Sequence, residues 1–333
     1  MVKIGIPRAL LYYQYYPMWK AFFEELGAEV VVSPPTTQLM LSEGSSRVVA
    51  ETCLPVKVFV GHVLSLVGKC DYVFIPAVRS VKNKVYNCSK FLGLPDMSRA
   101  VVPESPPILE IEIDVNRGKR NLRRAIYQLG RYLTRESVKI ERAMAVAWQA
   151  HLDYLELMTS YRLTPPQAIE RISGALEVES EADSNQVAPS AIAIIGHPYL
   201  LYDELINHRL IHRLEQANKR VLTPEMVTAE ELQSATARLV GGAYWTYEDE
   251  VVGAGGYYLS SEAVGVIGIM AFGCGPDSLM MDMVQRQAGR LRTTPFMSLT
   301  VEEHTAEAGI VTRLEAFLDM IHRQKRRQPK ICV

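Results

Sequence analysis

What this sequence lacks narrows it first. It has no surplus of charge: 36 Lys and Arg face 37 Asp and Glu, a net charge of -1. That balance argues against nucleic acid or an anionic membrane surface as a partner, and the short basic stretch Arg323–Arg327 reads as a solvated helix end. No run of about eighteen apolar residues occurs; Val58–Val67 is too short and carries His62. The first twenty residues hold tyrosines and charge instead of an apolar signal core. These absences predict a cytoplasmic chain, neither exported nor membrane-spanning. Cysteine is scarce as well. Cys53, Cys70, Cys88, Cys274 and Cys332 are odd in number and widely spaced, a poor disulfide framework. No close C-x-x-C pair exists to build a zinc ribbon. A Walker A pattern is missing too, and Gly253-Ala-Gly-Gly256 follows helical residues rather than a strand, so the dinucleotide fingerprint lacks its context. The chain is not expected to hydrolyse ATP itself.

What is present is the composition of a soluble globular protein, with 48% hydrophobic and 22% charged residues over 333 positions. That length suits two ordinary domains, each able to bury a core. Short apolar strands at Lys3–Pro7, Glu29–Ser33 and Tyr72–Pro76 alternate with helical patterns around Trp19–Leu26 and Val56–Val67. Ile108–Val115 alternates apolar and acidic residues, as a strand nearer a sheet edge does. Strands alternating with helices predict an α/β fold with parallel sheets. The middle is helical: Leu122, Ile126, Leu129 and Leu133 recur at helical spacing, Val138–Met158 continues in helix formers, and Thr164-Pro-Pro-Gln167 is a capping-box start. Glu177–Ser190 is acidic, small and polar, the clearest linker. Alternation then resumes, with strands at Ala191–Ile195, Val264–Ala271 and Phe296–Leu299. Helices are expected at Glu204–Ala217, Ser278–Arg290 and Glu307–His322. The resulting division is an N-terminal domain over 1–117, a helical segment over 118–176, a linker over 177–190 and a C-terminal domain over 191–333.

Three cysteines fall where a parallel α/β domain places its ligands, in turns beyond the carboxyl ends of strands. Cys53 lies in Glu51-Thr-Cys-Leu-Pro55, Cys88 in Tyr86-Asn-Cys-Ser89 and Cys274 in Phe272-Gly-Cys-Gly-Pro-Asp277. Helix amides ahead of Cys53 and Cys274 are expected to lower their thiol pKa. Taken singly, each is more simply a buried packing residue; as a trio they are candidate ligands for a soft metal centre, an iron–sulfur cluster or a zinc ion completed by His. Cys70 reads as a small buried hydrophobe and Cys332 as part of a frayed end. Other polar residues at strand ends are candidates for catalysis: Arg8, His197, Glu302, Glu303 and His304. Each could equally be a cap, a salt-bridge partner or a solvated loop residue. His208 and His212, spaced i, i+4 without the Glu of an H-E-x-x-H motif, read as helix-surface residues.

Five ordered segments carry a resemblance. They are Ile4-Gly-Ile-Pro-Arg8; Glu51–Lys57 with Gly61-His62; Tyr86-Asn-Cys88 with Leu94-Pro-Asp96; Phe272–Asp277; and Glu303–Gly309. Together they resemble the acyl-CoA dehydratase activase-related proteins, relatives of the 2-hydroxyacyl-CoA dehydratase cluster-bearing subunits. The resemblance implies two Rossmann-like domains with a [4Fe–4S] cluster between them, held by Cys53, Cys88 and Cys274. It implies an ATP-dependent activator protein as electron donor and a small molecule or acyl-CoA as ligand, with reduction at an open iron. The alternative is a non-catalytic electron-transfer or accessory protein; a homodimer stays open. One departure is Ser89 after the second cysteine, where relatives often have Pro. Five cysteines also fall short of the six or so thiolates that a double-cubane cluster needs.

Overall fold

The computed structural model describes residues 1–176, 189–261 and 263–327. The expected linker therefore lies almost wholly outside the described residues, as does Cys332.

The first half supplies strands β1 (Lys3–Ile6), β2 (Glu29–Val32), β3 (Tyr72–Phe74), β4 (Ala77–Ser80), β5 (Ile108–Leu109) and β6 (Glu112–Asp114). Four of them form a parallel sheet in the order β2-β1-β3-β5, while β4 and β6 pair separately, also in parallel. The second half supplies β7 (Ala191–Ile195), β8 (Arg220–Leu222), β9 (Gly265–Ala271) and β10 (Phe296–Val301), in the parallel order β8-β7-β9-β10. Numbered within its own sheet, each reads 2-1-3-4. The halves thus share a Rossmann-like topology without sharing a sequence repeat, because the topology needs only the alternation of apolar strand and amphipathic helix. All five residues of β7 are buried, as a strand covered on both faces must be. Ile192 and Ile194 join one continuous core with Ile4, Val60 and Phe317. Ala193 and Ile195 face a second core with Val252, Met280 and Val284.

Helices cover these sheets. In the first half they are α1 (Tyr12–Glu25), α2 (Gln38–Arg47), α3 (Leu54–Ser65), α4 (Ser89–Leu92) and α5 (Leu94–Val101). The segment between the sheets provides α6 (Lys119–Arg131), α7 (Ser137–Thr159) and α8 (Pro165–Ile172). The second half adds α9 (Pro198–Leu201), α10 (Leu210–Gln216), α11 (Ala229–Val240), α12 (Ala254–Tyr258), α13 (Gly275–Leu291) and α14 (Glu307–Arg327). The capping box at Thr164 forms as its sequence predicts.

Three departures from the expected elements have local causes. Helix α1 starts at Tyr12, well ahead of Trp19, and runs through Pro17. A proline there leaves the carbonyl four residues back without its helical donor; that carbonyl, on Tyr13, accepts instead from the buried Tyr154 hydroxyl of α7 at 2.6 Å. Helix α10 begins only at Leu210, since His208 and Arg209 adopt left-handed φ of 53° and 58° and Asp203 turns the preceding chain by accepting from the Leu205 and Ile206 amides. Ile108–Val115 divides into β5 and β6, which belong to different sheets.

Helices α2 and α3 cross closely. A Cβ on Gly44 would sit 2.0 Å from the Lys57 carbonyl oxygen, and one on Gly61 would sit 2.1 Å from that of Met40. Only glycine at both positions permits this approach, which fixes α3 and the Cys53 turn before it.

Candidate functional site: a thiol-lined seam between the two sheets

Each of the three cysteines is the residue immediately before a helix: Cys53 before α3, Cys88 before α4 and Cys274 before α13. The first two belong to the first half and the third to the second. Their turns meet. Gly273 takes a left-handed φ of 76°, and its Cβ position would lie 3.8 Å from the Cys53 Cα. The Cys88 loop is tied across the seam by a β-bridge between Tyr86 and Trp245 and by the Thr246 amide donating to the Tyr86 carbonyl at 3.1 Å. Tyr199, buried behind this meeting point, feels Cys274, Cys53 and Cys88 electrostatically, and burial first of all, then Asp277 and these thiols, pushes its hydroxyl pKa far up.

The thiols are all half-buried and free. Burial raises the pKa of Cys53, and the Val56 amide ahead of it pulls in the opposite direction without prevailing. Burial likewise pushes Cys274 well up, reinforced by the Asp277 carboxylate. The expected lowering by helix amides is therefore corrected: desolvation of the thiolate outweighs one or two oriented N–H dipoles.

Beside the thiols sits a charged trio, His197 and Asp277 buried and Glu250 partly so. His197 follows β7, Asp277 lies in the first turn of α13, and Glu250 lies in the π-helical turn Asp249–Gly253. His197 Nε2 is 3.0 Å from Asp277 Oδ1 and its Nδ1 is 3.4 Å from Glu250 Oε2. Burial alone would lower the imidazole pKa, but the Asp277 and Glu250 carboxylates more than reverse that and raise it to about 10. The imidazolium is thus the charged form at neutral pH, an ion held between two carboxylates. Asp277 and Glu250 were not singled out by sequence reasoning. Asp277 stood inside the quoted Phe272–Asp277 segment; Glu250 had no signal, because only the unusual turn aims it at His197.

The remaining candidates are placed elsewhere or act as braces. Arg8 donates its amide to Ser33 Oγ at 2.7 Å and lays its guanidinium over the Tyr12 ring. It neighbours a separate network, in which His62 joins Ser33 at 2.8 Å and Thr36 at 2.9 Å, and Thr36 donates to Asp203. Glu303 accepts from Lys57 Nζ at 2.5 Å, linking the loop after β10 to α3; that Lys57 side chain is only 4% exposed. Glu302 and His304 are exposed. His212 is exposed on α10, whereas His208 precedes the helix in the left-handed conformation. Cys70 packs half-buried against the main core.

The expected [4Fe–4S] cluster is not upheld. Among the described residues, no group of three or more His, Cys, Asp or Glu is arranged to hold a metal ion. The three turns approach one another without gathering their sulfurs into a ligand set.

Residues 3–227 match the family described as "CoA enzyme activase uncharacterised domain (DUF2229)". The chain belongs to this family. The matched region takes in the whole first sheet, the helical segment, β7 and β8, and so includes Cys53, Cys88 and His197 but stops short of Cys274. The activase-related resemblance carried by the ordered motifs therefore holds. No curated protein matches the chain. Among the described residues, no helix is long and apolar enough to cross a membrane.

Proposed function

We propose that this protein is an accessory component of a CoA-enzyme activation system, and that its thiol-lined seam is where an ATP-dependent activator protein docks. The activator is the electron donor of that system; this chain presents the surface that receives it. The observation that carries the reading is the rim of the seam. Within a few residues of the thiols or of their cross-seam partners, large apolar side chains stand in solvent: Tyr86 at 49% exposure, Tyr244 at 76%, Phe272 at 64% and Leu279 at 45%. Exposed aromatic and aliphatic groups beside a junction, drawn from both halves of a molecule, are the kind that anchors a protein partner. The family description supports the class of partner, since it places the domain with CoA-enzyme activases. The His197–Asp277–Glu250 trio braces the second-half side of the rim, because its members come from the β7 end, α13 and the π-helical turn.

The test is sedimentation of the purified chain with an ATP-dependent activator of this kind, with and without nucleotide. A nucleotide-sensitive complex is expected, and Phe272→Ser together with Tyr244→Ser should weaken it at least about tenfold, the loss typical of one or two interface anchors. A complex of undiminished affinity in that variant, or none with the unaltered protein, rejects the reading. An acyl-CoA thioester, added as a competitor, reports whether the same seam also takes the CoA ligand.

A further inference from the structure

Behind the seam, a cavity of about 310 Å³ opens between α1, α7 and the second half of the chain. Its size is at the lower end of the range for small-molecule sites, roughly 300–1,000 Å³. Hydrocarbon from Val81, Leu155, Met158 and Leu232 forms much of the wall, with the rings of Tyr13, Tyr15 and Tyr247. Leu155 and Gln233 are exposed and mark its mouth.

The polar lining is unfinished. Both side-chain amide atoms of Gln14, Nδ1 of His151 and Oε1 of Glu225 are shut off from solvent and have no hydrogen-bond partner. These three residues come from α1, α7 and the turn after β8, so no single local distortion explains them, yet all three line this one cavity. Buried polar atoms are nearly always paired, and leaving one unpaired costs about 1–3 kcal/mol. Charge is unfinished as well. Asp249 is neutralised by Lys82 and Glu250 by His197, but Glu225 is met by hydroxyls, Tyr202 at 2.6 Å and Thr223, and among the described residues no ion pair gives it a cation. Burial and then the nearby Glu250 raise the Glu225 carboxyl to about 7, while burial lowers the His151 pKa and so keeps its imidazole neutral. A neutral imidazole can present Nδ1 as an acceptor.

We infer that this cavity binds a small organic cation, a primary ammonium group carried on an apolar body. An ammonium has three donors and no acceptor, and the cavity offers three unmet acceptors, Glu225 Oε1, Gln14 Oε1 and His151 Nδ1. The positive charge supplies the counterion that Glu225 lacks. The tyrosine rings favour a cation beside them, and the apolar wall takes the hydrocarbon. An anion would instead meet Glu225, Glu250 and Asp249 against the single Lys82. The Gln14 amide nitrogen, also unmet, suits a hydroxyl or carbonyl oxygen on the same molecule. This inference stands apart from the activator-docking reading, and uses none of the rim residues.

Calorimetric titration of the full chain with matched probes tests it: tryptamine and 2-phenylethylamine as cations, the corresponding alcohols as neutral isosteres, and indole-3-acetate and phenylacetate as anions. The amines should bind at least about tenfold more tightly than the alcohols, the worth of one charge-assisted hydrogen bond, and the acids should not bind. Glu225→Gln should remove the preference for amine over alcohol while leaving the alcohols unaffected. Leu155→Trp, placed where the wall reaches the exposed mouth, should block all of them. Equal affinity for amine and alcohol, preference for an acid, or no binding of either amine at millimolar concentration overturns the inference.

Discussion

Gly44→Ala is the sharpest test of how the seam is held. The new Cβ would stand 2.0 Å from the Lys57 carbonyl oxygen and 2.7 Å from the Gly61 amide nitrogen, where non-bonded contact wants about 3.5 Å. Helices α2 and α3 would have to part by more than about 1 Å. Overpacking costs about 1–3 kcal/mol, and the upper figure applies because both partners are helical backbone that no rotamer change can move. Replacing a helical glycine by alanine returns about 1 kcal/mol of propensity. The net expectation is a loss of about 2 kcal/mol. Because α3 starts directly after Cys53 and carries Lys57, its displacement should also disturb the Lys57–Glu303 link. Urea unfolding followed by circular dichroism measures the loss. Gly289→Ala is the control: it lies within α13 with nothing within 4 Å of its Cβ position, so the same exchange should stabilise by up to about 1 kcal/mol. If Gly44→Ala is as stable as the unaltered chain while the control behaves as stated, the account of the α2–α3 crossing is wrong.

Other outcomes follow from the same contacts. His197 gains protons' worth of stability from Asp277 and Glu250, with its folded pKa raised to about 10. That contribution should be complete below about pH 6.5, the unfolded value, and should decline as pH rises toward 10; His197→Asn should flatten this alkaline slope, and an unchanged slope would assign it to other groups. Tyr154→Phe removes the donor that serves the carbonyl stranded by Pro17, and should cost about 1–3 kcal/mol, read from the urea midpoint; a neutral effect would mean that water replaces the hydroxyl. Alkylation of Cys274 by iodoacetamide, followed by mass spectrometry, should be slow at neutral pH and keep accelerating past the ordinary thiol range, since burial and Asp277 hold the thiol protonated. A rate already at its plateau near neutral pH would contradict that electrostatic picture.

Periodicity and capping were local, and they were readable. The alternation of apolar strands with helices announced two parallel sheets, and the Thr164 box marked the start of α8, because both depend on neighbours within a few residues. The positions of Cys53 and Cys274 in turns before helices were legible for the same reason, whereas Cys88 was read as a loop residue and the short helix after it was not foreseen. Whether three such turns gather their sulfurs is a different kind of fact. It depends on how two sheets are set against each other, and on how far burial overrides helix amides in setting a thiol's charge. Among the described residues the tertiary structure assembles no metal-ligand group from them, and it leaves the Cys53 and Cys274 thiols protonated. It also placed Glu303 on Lys57, far along the chain, and turned Glu250 toward His197 through a π-helical turn that no spacing rule announces. The cavity with Gln14, His151 and Glu225 on its wall is the extreme case. Its three polar residues come from segments with no sequence relation, and only their joint burial without partners gives them meaning. Sequence determined which kinds of element form and in what order; tertiary contacts shifted several of their ends, and the packing of the halves determined which ends face one another and what charge each carries.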